Sequence, residues 1–83
     1  MPYISQVSRV DIDYRLEPLV EFVATPGQAN YAITALLLRA LRPQTYTEYN
    51  SVIGVLECCK LEMYRRAVAP YEDRKASENG DVY

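Results

Sequence analysis

The sequence predicts an all-α protein: a small three-helix domain followed by a short C-terminal helix and tail, assembled as a homo-oligomer. Apolar residues recur at helical spacing over residues 28–41 and again over 46–69. A capping signal precedes each of these two segments. The chain is 49% hydrophobic with only three glycines, a composition that excludes a low-complexity or disordered protein.

The length of 83 residues predicts one domain over residues 1–83. A domain of this size buries only about two-thirds of the surface that its unfolded chain exposes, so its stability margin is small. Association with further copies is a common remedy for small domains. The length therefore favours self-association before any single element is considered.

The first element is the hardest to predict, because Pro18 interrupts it. Three apolar residues of the opening segment are predicted packing contacts, namely Tyr3, Ile4 and Val7. Ser8 is placed to cap a first helical turn, with Asp11 near the positive helix end. Proline inside a helix removes a hydrogen bond and clashes with the preceding turn. Either residues 8–14 form a separate turn before a helix over 17–24, or one helix is kinked, and we favour the break.

The second helix is predicted over residues 28–41. Thr25 and Gln28 fit a capping box, with Pro26 at the first helical position. Apolar side chains extend around most of the helix circumference, which requires cover on more than one side. In so small a protein, a partner chain is the expected second cover.

The third helix has the clearest start, because Thr45 and Glu48 fit a second capping box. It is predicted over 46–69 and ends at Pro70. Gly54 lies in its interior, where it permits close approach of another helix or a ligand, or is simply tolerated. Cys58 and Cys59 are adjacent, so they lie about 100° apart around the helix axis and cannot form a disulfide with each other. We predict that both are small buried apolar groups.

The segment after Pro70 is predicted to form a short fourth helix over residues 70–78. Glu72 and Asp73 lie in its first turn and basic residues follow, which matches the helix dipole. Asn79 and Gly80 supply a stop signal. Two tyrosines and an ordered charge pattern indicate a tail built to dock on another surface.

Composition argues against several function classes. The net charge of −2 provides no strong field for a nucleic acid backbone. The chain contains no histidine, no metal-ligand spacing and no phosphate-cradling glycine motif, so we predict no catalytic residue, no metal, no cofactor and no enzymatic activity. No signal peptide and no membrane span is predicted, and we expect a cytoplasmic protein without a membrane partner.

A binding role has more support in the sequence. Arginine and tyrosine recur together near the end of the third helix and in the tail. An arginine can bind a phosphate, and a tyrosine ring can stack on a base. The predicted ligand-binding residues are Tyr64, Arg65, Arg66, Tyr71, Arg74, Asn79 and Asp81. The last two are interpreted as polar readers of the ligand. In a symmetric oligomer, two chains can complete such a pocket at their interface.

Several stretches of this chain form a recognisable pattern. They are residues 1–4, 30–34, 36–37 and the run 49–83, within which 54–58, 60–62, 64–66, 69–73 and 79–83 are the strongest. Residues 1–4 read Met-Pro-Tyr-Ile, residues 64–66 Tyr-Arg-Arg and residues 79–83 Asn-Gly-Asp-Val-Tyr. In these stretches the chain resembles a family of small uncharacterised proteins from bacteriophages and bacterial genomes. The segment from Asp11 to Thr25 departs most from the family pattern. The resemblance covers most of the chain.

The resemblance implies a phage or prophage setting, and hence a host cytoplasm. Small phage proteins without catalytic motifs often bind one host component and neutralise it. One hypothesis is therefore an anti-defence sponge that sequesters a small anionic, nucleotide-derived signal at a subunit interface. The alternative is a protein–protein interaction module that binds or inhibits a host protein, and a third hypothesis is a structural helical phage protein. The predicted partners are copies of the chain itself, a nucleotide-like ligand and a host protein.

Overall fold

A computed structural model describes residues 4–83, and in this range the protein is 84% helical with no strand. Four α-helices follow in order: α1 over Gln6–Phe22, α2 over Pro26–Leu41, α3 over Tyr46–Met63 and α4 over Ala69–Asn79. A π-helical turn over Tyr64–Val68 joins α3 to α4 without a break. The all-α prediction is confirmed. Tyr3, one of the predicted packing contacts, lies outside the described residues.

The chain divides into two compact units after Pro43. The first unit contains α1 and α2, and the second contains α3, the π-turn and α4. The sequence-based expectation of a single domain over 1–83 stays a prediction.

Helix α1 differs from its predicted form. It begins at Gln6 and continues through Pro18 to Phe22, so the predicted break and the start near residue 17 are wrong. Ser5, not Ser8, is the cap, and its hydroxyl accepts a hydrogen bond from the Ser8 amide at 3.2 Å. One proline costs a single backbone hydrogen bond, and a helix with a good cap and twelve preceding helical residues tolerates that loss.

Helix α2 follows the predicted bounds closely. The Thr25 hydroxyl accepts a hydrogen bond from the Gln28 amide at 3.2 Å, and the Gln28 side chain accepts one from the Thr25 amide at 3.2 Å, which completes the capping box. Pro26 occupies the first helical turn, as predicted. The helix ends at Leu41, and the next residue, Arg42, has a left-handed backbone with φ of 45° and precedes Pro43.

Helix α3 begins with the second predicted capping box. The Glu48 carboxylate accepts hydrogen bonds from the backbone amides of Gln44 and Thr45, each at 3.0 Å. These bonds, with the Gln44 amide contributing most, lower the pKa of Glu48. An added Cβ at Gly54 would meet nothing within 4 Å, so no neighbouring group in the described chain uses its missing side chain.

The third helix was predicted to end at Pro70, but helical backbone continues from α3 through the π-turn into α4 without a break. The backbone amide of Ala69 donates to the carbonyl of Tyr64, five residues earlier, and α4 then continues to Asn79. A proline clashes with the carbonyl four residues before it, which for Pro70 is that of Arg66. The wider π-turn moves this carbonyl out of the way, so the proline changes the helix register rather than ending the helix.

Burial is sparse across the described residues. Only Pro43 and Val52 are buried. Cys58 and Cys59 are both free and exposed, so the prediction that they are buried is wrong. Ile4 and Val7, predicted as packing contacts, are also exposed. Large apolar side chains of α1, α2 and α3 are exposed as well.

Candidate binding surfaces

All seven predicted ligand-binding residues lie in the second unit, on the π-turn, on α4 or just after it. The structure places them in three separate groups rather than in one pocket. The first group surrounds the π-turn, the second lies on α4 and the third follows the C-terminus of α4. The three groups differ in their capacity to hold a ligand.

The first group is an acidic residue held between two arginines. The Arg65 guanidinium lies 3.0 Å from the Glu62 carboxylate, and the Arg66 Nε donates to the same carboxylate oxygen. Glu62 is half-buried. The hydrogen bond from Arg66 is the main cause that lowers the pKa of Glu62, with the positive charges of both arginines adding to it. Because Glu62 engages both arginines, their attraction for a further anion is reduced.

Tyr64 belongs to the same turn but points its hydroxyl along the helix. The hydroxyl donates to the Glu72 carboxylate, at 3.2 Å and 3.4 Å from its two oxygens. Residues eight apart on a regular α-helix lie about 80° from each other around the axis. The extra residue in the π-turn makes this separation behave like seven residues, or two full turns, which brings the groups onto one face.

The negative charge of Glu72 raises the pKa of Tyr64, and the hydrogen bond between them adds to this effect. Tyr64 is already neutral near neutral pH, and this shift takes its pKa further from that range, so it is a poor candidate for acid–base chemistry there. Its role in the described chain is to tie the π-turn to α4.

The second group is an aromatic ring with two cations. The Arg74 guanidinium carbon lies 5.9 Å from the centre of the Tyr71 ring, and the Lys75 ammonium lies 5.7 Å from it. Lys75 also pairs with Glu78 at 3.4 Å. Among residues 4–83, no carboxylate lies within ion-pair distance of Arg74. This arginine is therefore the member of the predicted set that is most available to an anion.

The third group contains Asn79 and Asp81. Gly80 lies between them with a positive φ of 89°, which ends α4, and the Asp81 carboxylate accepts a hydrogen bond from the Tyr83 amide at 3.0 Å. Both side chains line a shallow hollow of about 450 Å³ at the end of the helix. The arginines and tyrosines of the other two groups do not line this hollow, so it does not contain the whole predicted set.

A larger hollow lies in the first unit, where the sequence reasoning named no site residue. It is an open apolar groove of about 830 Å³ between α1 and α2. Phe22 of α1 and Tyr31 of α2 line it, and they are 74% and 68% exposed. Arg39 is the one charged residue along its described walls. The signal in the sequence was the apolar character around most of α2, which predicted a covered face but not where that face lies.

No helix among residues 4–83 combines the length and the apolarity needed to cross a membrane. The fold and its surfaces define a class: a small all-helical protein whose large apolar side chains are mostly exposed and some of whose charged groups pair along its helices. A family described as a domain of unknown function, DUF6899, matches residues 1–82. The chain belongs to this family, which confirms the prediction of membership in an uncharacterised family. Comparison with curated proteins gave no match, and comparison with solved structures gave none either.

Proposed function

We propose that this protein is a non-enzymatic binding protein that acts by associating with other protein chains, beginning with copies of itself. One observation carries the proposal: of residues 4–83, only Pro43 and Val52 are buried, while large apolar side chains on every helix are exposed. Exposed apolar surface on this scale marks an interaction surface in soluble proteins.

The energetics support the same proposal. Burying apolar surface contributes about 25 cal/mol per Å², and it is the main term that offsets the entropy lost on folding. A chain that buries two residues obtains little of this term by itself. Contact with other chains supplies the missing burial, as it does for obligate oligomers that have no stable folded monomer.

The resemblance to phage and bacterial sequences gives this proposal a setting. In a phage-encoded protein acting in the host cytoplasm, the further partner beyond the oligomer is a host protein that is bound or inhibited. The paired charges along α3 and α4 fit this role, because surface ion pairs keep an apolar helix soluble without drawing in nucleic acid.

Analytical ultracentrifugation over a concentration series tests the self-association step. We expect species larger than 9.5 kDa at micromolar concentration, with helical content that falls on dilution. A stable particle of 9.5 kDa that unfolds cooperatively and independently of concentration would contradict the proposal.

A second candidate function is the capture of a small anionic, nucleotide-like ligand. One observation favours it: Arg74 lies beside the Tyr71 ring with no carboxylate partner among the described residues. An unpaired guanidinium can hold a phosphate, and the aromatic ring can stack on a base. A second chain would have to bring the remaining predicted residues to this point, because one chain keeps them apart.

Thermal shift against a panel of cyclic and linear nucleotides tests this second function. A ligand that binds only the folded state raises the melting temperature by mass action. The shift should disappear in Arg74→Gln and persist in Lys60→Gln, a matched control that removes a cation already paired with Glu57 at 2.9 Å. No shift with any nucleotide would contradict the sponge hypothesis and leave protein association as the function.

A further inference from the structure

We infer that two copies of this chain meet through one face of α2, as an antiparallel pair that crosses at Ala35. This inference rests on the proposed self-association and names the surface that carries it. Over the four residues on either side of Ala35, the face consists of five residues that lie within about 60° of Ala35 around the helix axis, at 100° per residue: Tyr31, Ala32, Ala35, Leu38 and Arg39.

The order of side chains on this face is complementary to itself. In an antiparallel pair centred on Ala35, residues equally far before and after it lie opposite each other in the two copies. Tyr31 is four residues before Ala35 and Arg39 is four residues after it. Ala32 and Leu38 are likewise three residues before and after. The two-fold axis thus places a large side chain against a small one and a cation against an aromatic ring.

The aromatic ring and the cation of this face remain open to such a partner. Tyr31 is 68% exposed, and among residues 4–83 no carboxylate lies within ion-pair distance of Arg39. A guanidinium over a tyrosine ring is a favourable contact, and the symmetric pair contains it twice. The shape agrees, because Tyr31, Ala35, Leu38 and Arg39 line a shallow hollow of about 210 Å³ along this face.

The surrounding surface adds area to the contact. Phe22 and Tyr31 line the same groove beside the proposed crossing and are both more than two-thirds exposed. At 150–250 Å² for a whole ring side chain, the two present roughly 280 Å² for each copy. That is about a third of the roughly 800 Å² that each partner buries in a stable interface. The apolar residues around them extend the patch along α1 and α2.

A symmetric disulfide tests the crossing point directly. In a Cys58→Ser, Cys59→Ser background, Ala35→Cys places one thiol of each copy next to the two-fold axis, within the span a disulfide bridges. We expect mild oxidation to give a covalent dimer on a non-reducing gel. Ala40→Cys is the matched control, because its two copies would lie about 15 Å apart along the helices and should not link.

Substitutions that first oppose and then restore complementary groups test the pairing of Tyr31 with Arg39. Tyr31→Arg places like charges opposite each other and should weaken dimerisation about tenfold or more, measured by sedimentation equilibrium. Adding Arg39→Glu to the same chain should restore it, because each new arginine then faces a glutamate. Circular dichroism of each variant confirms that the helices have formed.

The outcomes separate this interface from the proposed function. Monomers at all concentrations would overturn both. Dimers that persist while Ala35→Cys fails to link, or while the double variant stays as weak as Tyr31→Arg, would overturn the α2 interface and leave self-association standing through another face. Covalent dimers together with rescue in the double variant would establish the antiparallel pair.

Discussion

At the residue scale, the π-turn concentrates the strongest side-chain interactions of the second unit. Glu62 accepts from Arg65 and Arg66, and Tyr64 donates to Glu72. A uniform α-helix would place Tyr64 and Glu72 about 80° apart around its axis, whereas Glu62 and its two arginines have ordinary i,i+3 and i,i+4 helical spacing. These contacts have measurable consequences for ionisation.

The pKa of Tyr64 should depend on Glu72. Because the negative charge of Glu72 raises it, Glu72→Gln should lower the pKa of Tyr64 toward its ordinary value of 10.0. NMR of ring-labelled tyrosine during a pH titration measures this. Asp73→Asn, which changes the adjacent charge without touching the hydrogen bond, should have a smaller effect, and an equal effect would contradict the assignment.

Glu62 should contribute to the acid sensitivity of the helix. Its pKa in the folded state is below the ordinary value of 4.5, so the stability it adds is present above that value and is lost as the pH falls through the lowered pKa. Glu62→Gln should therefore lose less helicity than the parent chain below about pH 4.5, measured by circular dichroism. Arg66→Gln, which removes the main donor, should behave likewise, and unchanged acid profiles would contradict the assignment.

At the scale of the elements, the capping boxes and the prolines decide where helices begin and how they continue. Both capping boxes were predicted from sequence, since they need only a hydroxyl residue and a Glu or Gln three positions apart. The effects of the prolines were not. Pro18 and Pro70 both lie within helical backbone, and each is accommodated at the cost of local hydrogen bonding rather than by a break.

Pro70 is expected to maintain the π-turn. Pro70→Ala restores a backbone amide that can donate to the Arg66 carbonyl and lets the turn tighten into a regular α-helix, with a gain of up to about 3 kcal/mol in helix stability. The register change should separate Tyr64 from Glu72. We therefore expect the pKa of Tyr64 to fall even though both groups remain. A higher melting temperature with an unchanged pKa of Tyr64 would show that the π-turn has another cause.

Gly54 provides a test of what covers α3. Since an added Cβ meets nothing in the described chain, Gly54→Ala should stabilise α3 by up to about 1 kcal/mol, measured by urea unfolding. If a second copy packs closely at this position, the same change will instead weaken the oligomer. Unfolding at low and at high protein concentration distinguishes the two results.

At the scale of the whole molecule, exposed apolar surface connects the fold to its proposed role. If association supplies the missing burial, the melting temperature must rise with protein concentration. We expect a rise of several degrees between about 5 and 500 µM in scanning calorimetry, because a two-orders-of-magnitude change adds about 2.7 kcal/mol per association step. Concentration-independent melting would contradict the proposed function.

The sequence by itself determined the helices and most of their ends, because caps and apolar periodicity are local signals that act within a few residues. It also located the residues of the charged and aromatic groups. The i,i+4 spacing of Glu62 and Arg66 in the sequence is that of a surface ion pair, which the structure contains. The bond between Tyr64 and Glu72 was not anticipated.

Only the three-dimensional structure decided which faces are left open and which side chains meet. One extra residue in a helical turn rotates everything after it by about 100°, and no local pattern reports such a rotation. Likewise, the apolar periodicity of α2 shows that a face must be covered, but the placement of α1 shows which part remains exposed around Tyr31 and Arg39. Burial depends on all neighbours of a residue at once, and that is why the folded arrangement, rather than the order of residues, assigns the surface for a partner.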